Sequence, residues 1–312
     1  TVDTLAAQGV RFDRTWGAVS CSPARAQLLT GRFGRRYGLG SIIYQQPGSD
    51  SYDLPAKEQT LAELARERGY HSAFIGKWHL TTYDRDWQDA PGRHGFDRYR
   101  FTAGNLQVPS VLRPAGYFEH ERSDNGQVGF VEGYVTEVQS DDAIEELASL
   151  PEPWLMVLAY NAAHEPFHLP PARLRPQLHD VTPGSPDAAK YRAMVEAMDH
   201  ELARVLASID DVRDHTYVVF AADNGTPLQV LLEPTPPDQG KATFQEGGLQ
   251  VPLVVTGPGI EPGVSQALTQ LTDIFPTVAG WIGATPAATL DGVPLQPFLA
   301  DPDAPDTRTF QY

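Results

Sequence analysis

A single cysteine, Cys21, stands in a chain of 312 residues, so no intrachain disulfide can staple this fold. Lysine is nearly as scarce. Of the 24 basic residues only Lys57, Lys77, Lys190 and Lys241 are lysines. Where arginine is the default cation, a lysine draws notice as a compact, mobile ammonium that a planar guanidinium cannot replace. No apolar run approaches the roughly 20 residues needed to span a bilayer. Positive charge in bulk is missing too. The formal net charge is −16 at pH 7, the wrong sign for a general nucleic-acid or membrane-surface binder. An anionic substrate must therefore be caught by a local group of cations.

What is present is an ordinary globular composition, 41% hydrophobic with 27 glycines, enough to bury a sizeable core. The length suggests two domains or one large α/β domain. The chain starts "TVDTLAAQGVRF", without an initiator Met and inside an expected helix, which reads as a cut end; no signal peptide is visible. Helices and strands then alternate. A helix at 2–8 leads into the extended "VRFDRTW", and a short helix follows Pro23 and stops at Gly31. "QTLAELARERG" is a helix closed by Gly69, followed by the strand "YHSAFIGKW". "TEVQSDDAIEELASL" is helical and "WLMVLAYN" is a continuous apolar strand. Tyr191, Met194, Val195, Met198, Leu202, Val205, Leu206 and Ile209 keep helical spacing on one face. "HTYVVFAADNG" and "VPLVVTGPG" read as buried strands, and "LTDIFPTVAGWIG" as a closing helix. The fold class expected is α/β, a mostly parallel central sheet between helix layers. Residues 81–135 and 226–246, rich in Gly, Pro and polar side chains, read as long loops over a site.

In such sheets chemistry sits just beyond the carboxyl ends of the strands. Four stretches there, and the turn that holds the cysteine, carry candidates. In "CSPARAQLLTGR", Pro23 presets a first helical turn, which puts Cys21 at a helix mouth with Arg25 one turn on. This suits a nucleophile facing an anion, and equally a small buried thiol filling a gap. "GKWHL" sets Lys77 and His79 on one side of an extended chain, a cation and an imidazole suited to an oxyanion, or a solvated strand end. "NAAHEPFH" offers His164 at a strand exit and His168 four residues on. "AADNG" offers Asp223 and Asn224, oxygen donors for a hard cation or a common turn. "GKATFQEGG" carries Lys241.

Taken together, C-x-P-x-R followed by L-T-G-R, then these strand exits in order, resemble the type I sulfatases of the alkaline phosphatase superfamily. "HGFD" at 94–97, "YRAMVEAMD" at 191–199, "DIFPT" at 273–277 and "LDGVPL" at 290–295 extend the resemblance over nearly the whole chain. It implies an alkaline-phosphatase-like fold with residues 1–312 as one catalytic α/β domain. It implies a sulfuric ester hydrolase, arylsulfatase-like, acting on an aryl or carbohydrate sulfate. Cys21 would be oxidised to formylglycine by a separate maturation enzyme, and a hydroxyl of its hydrate would attack sulfur. Arg25, Lys77 and Lys241 would hold sulfate oxygens. His164 or Lys241 would serve as general acid, and His79 would assist release of the enzyme-bound sulfate. Asp223, Asn224 and the modified Cys21 would ligate a divalent cation, calcium ahead of magnesium. No nucleic-acid or membrane partner is implied. The compartment is not legible, although the family suits a periplasmic or secreted setting. Two departures stand out: an upstream strand with an Asp pair, and a small C-terminal subdomain, are both expected to lie outside this sequence. Asp3 does not replace that pair, and Gln250 stands where many members carry Arg. Alternatives are a phosphonate or phosphate monoester hydrolase with the same site, a non-catalytic fragment, or a thiol enzyme using Cys21 unmodified.

Overall fold

A computed structural model describes residues 1–44, 52–83, 86–106 and 116–311. In chain order its elements are α1 (Val2–Gln8), β1 (Val10–Phe12), β2 (Thr15–Trp16), α2 (Cys21–Thr30), α3 (Leu61–Arg66), β3 (His71–Lys77), α4 (Ala90–Arg93), β4 (Arg98–Thr102), β5 (Glu119–Asp124) and β6 (Gln127–Glu132). They continue with α5 (Val135–Ser149), β7 (Trp154–Ala159), α6 (Asp187–Ala207), β8 (Val218–Ala221), α7 (Glu246–Leu249), β9 (Leu253–Thr256), β10 (Gly263–Ser265), β11 (Thr269–Gln270), α8 (Ile274–Trp281) and α9 (Gln296–Ala300). Among the described residues no helix is long and apolar enough to cross a membrane. The chain divides into two compact units, residues 1–42, 57–64 and 210–312 in one, 43–56 and 65–209 in the other.

The first unit holds a four-stranded sheet in the order β10-β1-β9-β8 and a two-stranded ribbon of β11 and β2. β1 runs parallel to β10 and antiparallel to β9, and β8 is antiparallel to β9. β9 is buried along its length, as its unbroken apolar run predicts. α2 begins at Cys21, two residues earlier than Pro23 suggests, because extended Ser20 already serves as its N-cap. It ends where Gly31 enters the left-handed region and gives its N–H to Gln27 O.

The second unit holds a five-stranded sheet in the order β6-β5-β4-β3-β7. β3 is parallel to both β4 and β7, whereas β4–β5 and β5–β6 are antiparallel. Both faces of β3 are covered. Ile75 packs with Ala143 of α5 and Val205 of α6. Phe74, on the other face, meets Trp78 and Phe96 edge to face. That double burial is why "HSAFIGK" shows no polar alternation.

Three expectations change. Residues 81–135 are not simply loop: β4, β5 and β6 lie within them, while residues 84–85 and 107–115 fall outside the described residues. The strands hide because their outward residues are charged, Arg98 reaching Glu146, and Arg100 reaching Asp142 and Glu145 on α5. The apolar strands β7 and β8 are half-buried throughout rather than buried, and among the described residues each has one hydrogen-bonded neighbour. On α6 the buried positions are Ala193, Met194, Ala197, Glu201 and Val205, while Val195 lies exposed. Small alanines let the helix approach closely, and Arg204 neutralises the buried Glu201 carboxylate.

Candidate active site

The candidate residues fall into two groups, one in each unit. In the first unit Cys21 opens α2 and is 1% exposed. Lys241 Nζ donates to Cys21 Sγ at 3.5 Å across 220 positions of sequence. Arg25, one turn further along α2, pairs with Asp223 at 3.3 Å. Asn224 Nδ2 donates to Asp223 Oδ1. The five residues Cys21, Arg25, Asp223, Asn224 and Lys241 thus form one constellation.

Backbone contacts explain how the sequence closes it. Ala18 N–H donates to Asp223 O, Ala242 N–H to Val19 O, and Lys241 N–H to Thr226 O. These bonds tie the entry of α2 to the exit of β8 and to the Lys241 loop. Two glycines permit the approach. A Cβ on Gly17 would lie 2.5 Å from Asp223 O, and one on Gly225 would lie 2.0 Å from Gly247 O. The "DNG" glycine is therefore required by packing, beyond its role in a turn.

Asn224 Oδ1 is buried and accepts no hydrogen bond among the described residues. A buried carbonyl oxygen beside a carboxylate is a donor set suited to a hard cation, which takes six or more oxygens. Asp223 and Asn224 would supply two of them. Among the described residues no group of three or more His, Cys, Asp or Glu side chains gathers as a metal site.

In the second unit Lys77 ends β3 and is 2% exposed. Gly76 before it has φ +102°, and a Cβ there would sit 2.1 Å from Ala159 O on β7. The extended geometry expected for "KWH" does not continue. His79 takes φ +56°, a left-handed turn that separates its direction from that of Lys77. Its backbone N–H donates to Ala103 O at 2.8 Å, which holds the turn against its intrinsic cost. His79 Nε2 lies 3.2 Å from Ile43 O. A carbonyl only accepts, so Nε2 carries the hydrogen in this contact.

His164 lies half-buried in the loop after β7. Its Nδ1 donates to Glu165 O at 2.9 Å, which fixes the tautomer and the direction of the ring. His168 is placed differently. Its Nδ1 donates to Pro166 O and its Nε2 accepts from Tyr134 Oη, while burial lowers its pKa. Both nitrogens are engaged in holding the loop. Sequence reasoning passed over Asn161, which is buried and receives bonds on Oδ1 from Thr102 and Gln139. The available signal is a polar side chain placed directly at the exit of an apolar strand.

The sulfatase family model matches residues 1–284. The chain belongs to the sulfatase family. The uncharacterized sulfatase YdeN of Escherichia coli (strain K12) is 30% identical over 334 residues, covering 96% of this chain and 57% of its own length. N-acetylgalactosamine-6-sulfatase of Canis lupus familiaris is 28% identical over 349 residues, covering 100% of this chain and 63% of its own length. Among solved structures, Ps i-CgsB in complex with k-i-k-neocarrahexaose superimposes with a TM-score of 0.83 at 24% identity, over 97% of this chain and 70% of that one. The fold class expected from the sequence is thus the fold of sulfatases. The chain spans 57% and 63% of the two curated relatives, somewhat short of two thirds of a whole sulfatase.

Proposed function

We propose that this chain is the catalytic part of a sulfatase that hydrolyses an aryl or carbohydrate sulfate monoester. The observation that carries the reading is the placing of Cys21, the chain's only thiol. It is buried at the first turn of α2, with the Lys241 ammonium on its sulfur and the Arg25–Asp223 pair one turn away. A thiol needed only for packing has no use for a lysine drawn in from a distant loop.

In this reading a maturation enzyme converts Cys21 to formylglycine, which supplies an oxygen nucleophile and a second hydroxyl for later sulfate release. A divalent cation, calcium ahead of magnesium, supplies neutralisation of sulfate charge, and Asp223 and Asn224 would hold it. The chain's own groups do the rest. Lys241 Nζ, beside position 21, donates to a sulfate oxygen and offsets charge as the sulfur–oxygen bond breaks. Arg25 adds a second donor, oriented by Asp223. The positive end of the α2 dipole favours an anion at the same place. Lys77, His79 and His164 are assigned by family resemblance: Lys77 to sulfate oxygens, His79 to a proton during sulfate release, His164 Nε2 to the leaving alcohol.

The test has two parts. The tryptic peptide holding Cys21, from protein made with a formylglycine-generating enzyme, should show the mass lost when a thiol becomes an aldehyde. The same protein should hydrolyse an aryl sulfate faster than the matched aryl phosphate or phosphonate. A fully modified protein that prefers the phosphorus esters would replace the proposed reaction with a phosphorus one. An unmodified protein that is nonetheless active would remove the aldehyde from the mechanism.

A further inference from the structure

We propose that Tyr117 is a positioning residue for His164, holding the turn that carries the imidazole through its phenolic hydroxyl. The inference rests on the reading of His164 as a proton-transfer group. It begins from a choice of residue that packing does not explain. Tyr117 is buried in an apolar cluster with Leu106, Tyr134, Val135, Leu174 and Met194. A phenylalanine would fill the same space without burying a hydroxyl, which costs free energy unless it finds a partner. Tyr117 Oη finds two. It lies 2.7 Å from His164 O and 2.9 Å from Asn161 O, and both carbonyls can only accept, so one hydroxyl hydrogen is shared between them.

Those two carbonyls are the ends of the turn on which His164 stands. His164 N–H donates to Asn161 O at 3.1 Å and closes it. The Asn161 end is anchored to the sheet. Thr102 Oγ1 and Gln139 Nε2 donate to Asn161 Oδ1, Asn161 Nδ2 donates to Gly104 O, and Asn161 N–H donates to Gln139 Oε1. Tyr117 carries that anchoring to the far end of the turn. The far end matters for the ring. Tyr117 grips the carbonyl of the peptide joining His164 to Glu165, and the next carbonyl, Glu165 O, holds His164 Nδ1–H at 2.9 Å. Rotation of the first peptide would swing the second and turn the imidazole, displacing Nε2. Burial raises the Tyr117 pKa well above its usual value, so the hydroxyl stays a neutral donor at any assay pH.

The test is Tyr117→Phe in the full, matured chain, with Tyr160→Phe and His164→Ala beside it. Tyr160 is nearer to His164 in sequence and also has a hydroxyl hydrogen bond, to Ser140 Oγ at 2.7 Å, but none to the His164 turn. Tyr160→Phe therefore measures what loss of a neighbouring hydroxyl costs in general. Tyr117→Phe is expected to lower kcat on an aryl sulfate about 10-fold with KM within about twofold, the pattern of a displaced proton-transfer group. Amide hydrogen exchange at His164 should quicken about 10-fold in the same variant, and Tyr160→Phe should change neither readout. Unchanged exchange at His164 in Tyr117→Phe overturns the proposal, whether or not the chain turns over sulfate esters. Faster exchange with unchanged kcat overturns it as well. Loss of activity in Tyr117→Phe alongside full activity in His164→Ala would instead show that the reading of His164 has failed.

Discussion

Acidification from pH 7.5 to 4.5 should destabilise the unit formed by residues 43–56 and 65–209 by about 5 kcal/mol, through two buried neutral imidazoles. His94 and His120 are 5% and 1% exposed, and each has its pKa pushed down to about 4. Burial is the main cause in both. Arg93 adds to it at His94, where a hydrogen bond with the Leu54 backbone and the charge of Asp53 work in the opposite direction. Arg122 adds to it at His120. The unfolded chain titrates near 6.5. Between 6.5 and 4 it binds more protons than the folded chain, so stability is full above 6.5 and drains away as the pH falls towards 4. At about 1.4 kcal/mol per pH unit, each histidine forfeits roughly 2 to 3 kcal/mol by pH 4.5. Glu121 acts in the other direction, since burial raises its pKa and favours its protonated form in the folded state.

The discriminating variant is His120→Leu. Among the described residues His120 Nδ1 is buried and accepts no hydrogen bond, so the substitution removes a titrating group without breaking a bond at that atom. Urea unfolding at pH 7.5, 6.0 and 4.5 should show the variant at least as stable as the parent at pH 7.5. Its loss on acidification should be smaller by roughly 2 to 3 kcal/mol. If the variant loses as much as the parent, the imidazole is not the source of the acid sensitivity and the argument fails.

Cys21→Ala should abolish sulfate-ester turnover with the thermal transition nearly unmoved; retention of more than a few per cent of activity would remove the covalent mechanism. Cys21→Ser should also fail in steady-state assays, because a serine sulfate has no second hydroxyl with which to expel the group. Lys77→Ala and Lys241→Ala should each cost about 10²–10³ in kcat, the scale of one lost oxyanion donor. Lys57→Ala and Lys190→Ala should be near neutral, the latter breaking a pair with the exposed Asp187; equal losses at all four would mean that Lys77 and Lys241 have no special role. Gly76→Ala should cost about 3 kcal/mol or more in urea unfolding, since φ is +102° and the new Cβ would strike Ala159 O at 2.1 Å. A loss below about 1 kcal/mol would show that β3 and β7 can separate at that point.

The fold was legible where burial is symmetric. "HSAFIGK" and "LVVT" carry apolar side chains on both faces because both faces are covered, and no neighbour has to be known to see it. β7 and β8 have the same apolar character, and a run of residues does not encode which strands lie beside it; among the described residues each has one neighbour. β4 to β6 were missed for a related reason. Their arginines read as loop because their partners, Asp142, Glu145 and Glu146, come from a helix later in the chain. One local signal was present: Asn125 and Gly126 both take positive φ between β5 and β6, the Asn-Gly pair that a tight hairpin requires.

The candidate site divides along the same line. Cys21, Lys77, His164, Asp223 and Lys241 could be singled out because strand exits and a helix mouth are local features, and the scarcity of cysteine and lysine gave three of them contrast. What holds those residues was not visible. Lys241 reaches Cys21 across 220 positions, and Tyr117 reaches His164 across 47. In a pattern of apolar and polar residues a tyrosine in a core is a phenylalanine with an extra atom, and only the tertiary structure shows that this atom is the contact. The left-handed turn at His79 escaped for another reason. Histidine enters the left-handed region more readily than most residues, but its type alone does not place it there, and the bond to Ala103 at the neighbouring strand end holds the conformation. A chemical group can be read from its residue type, whereas its orientation belongs to residues brought to it by packing.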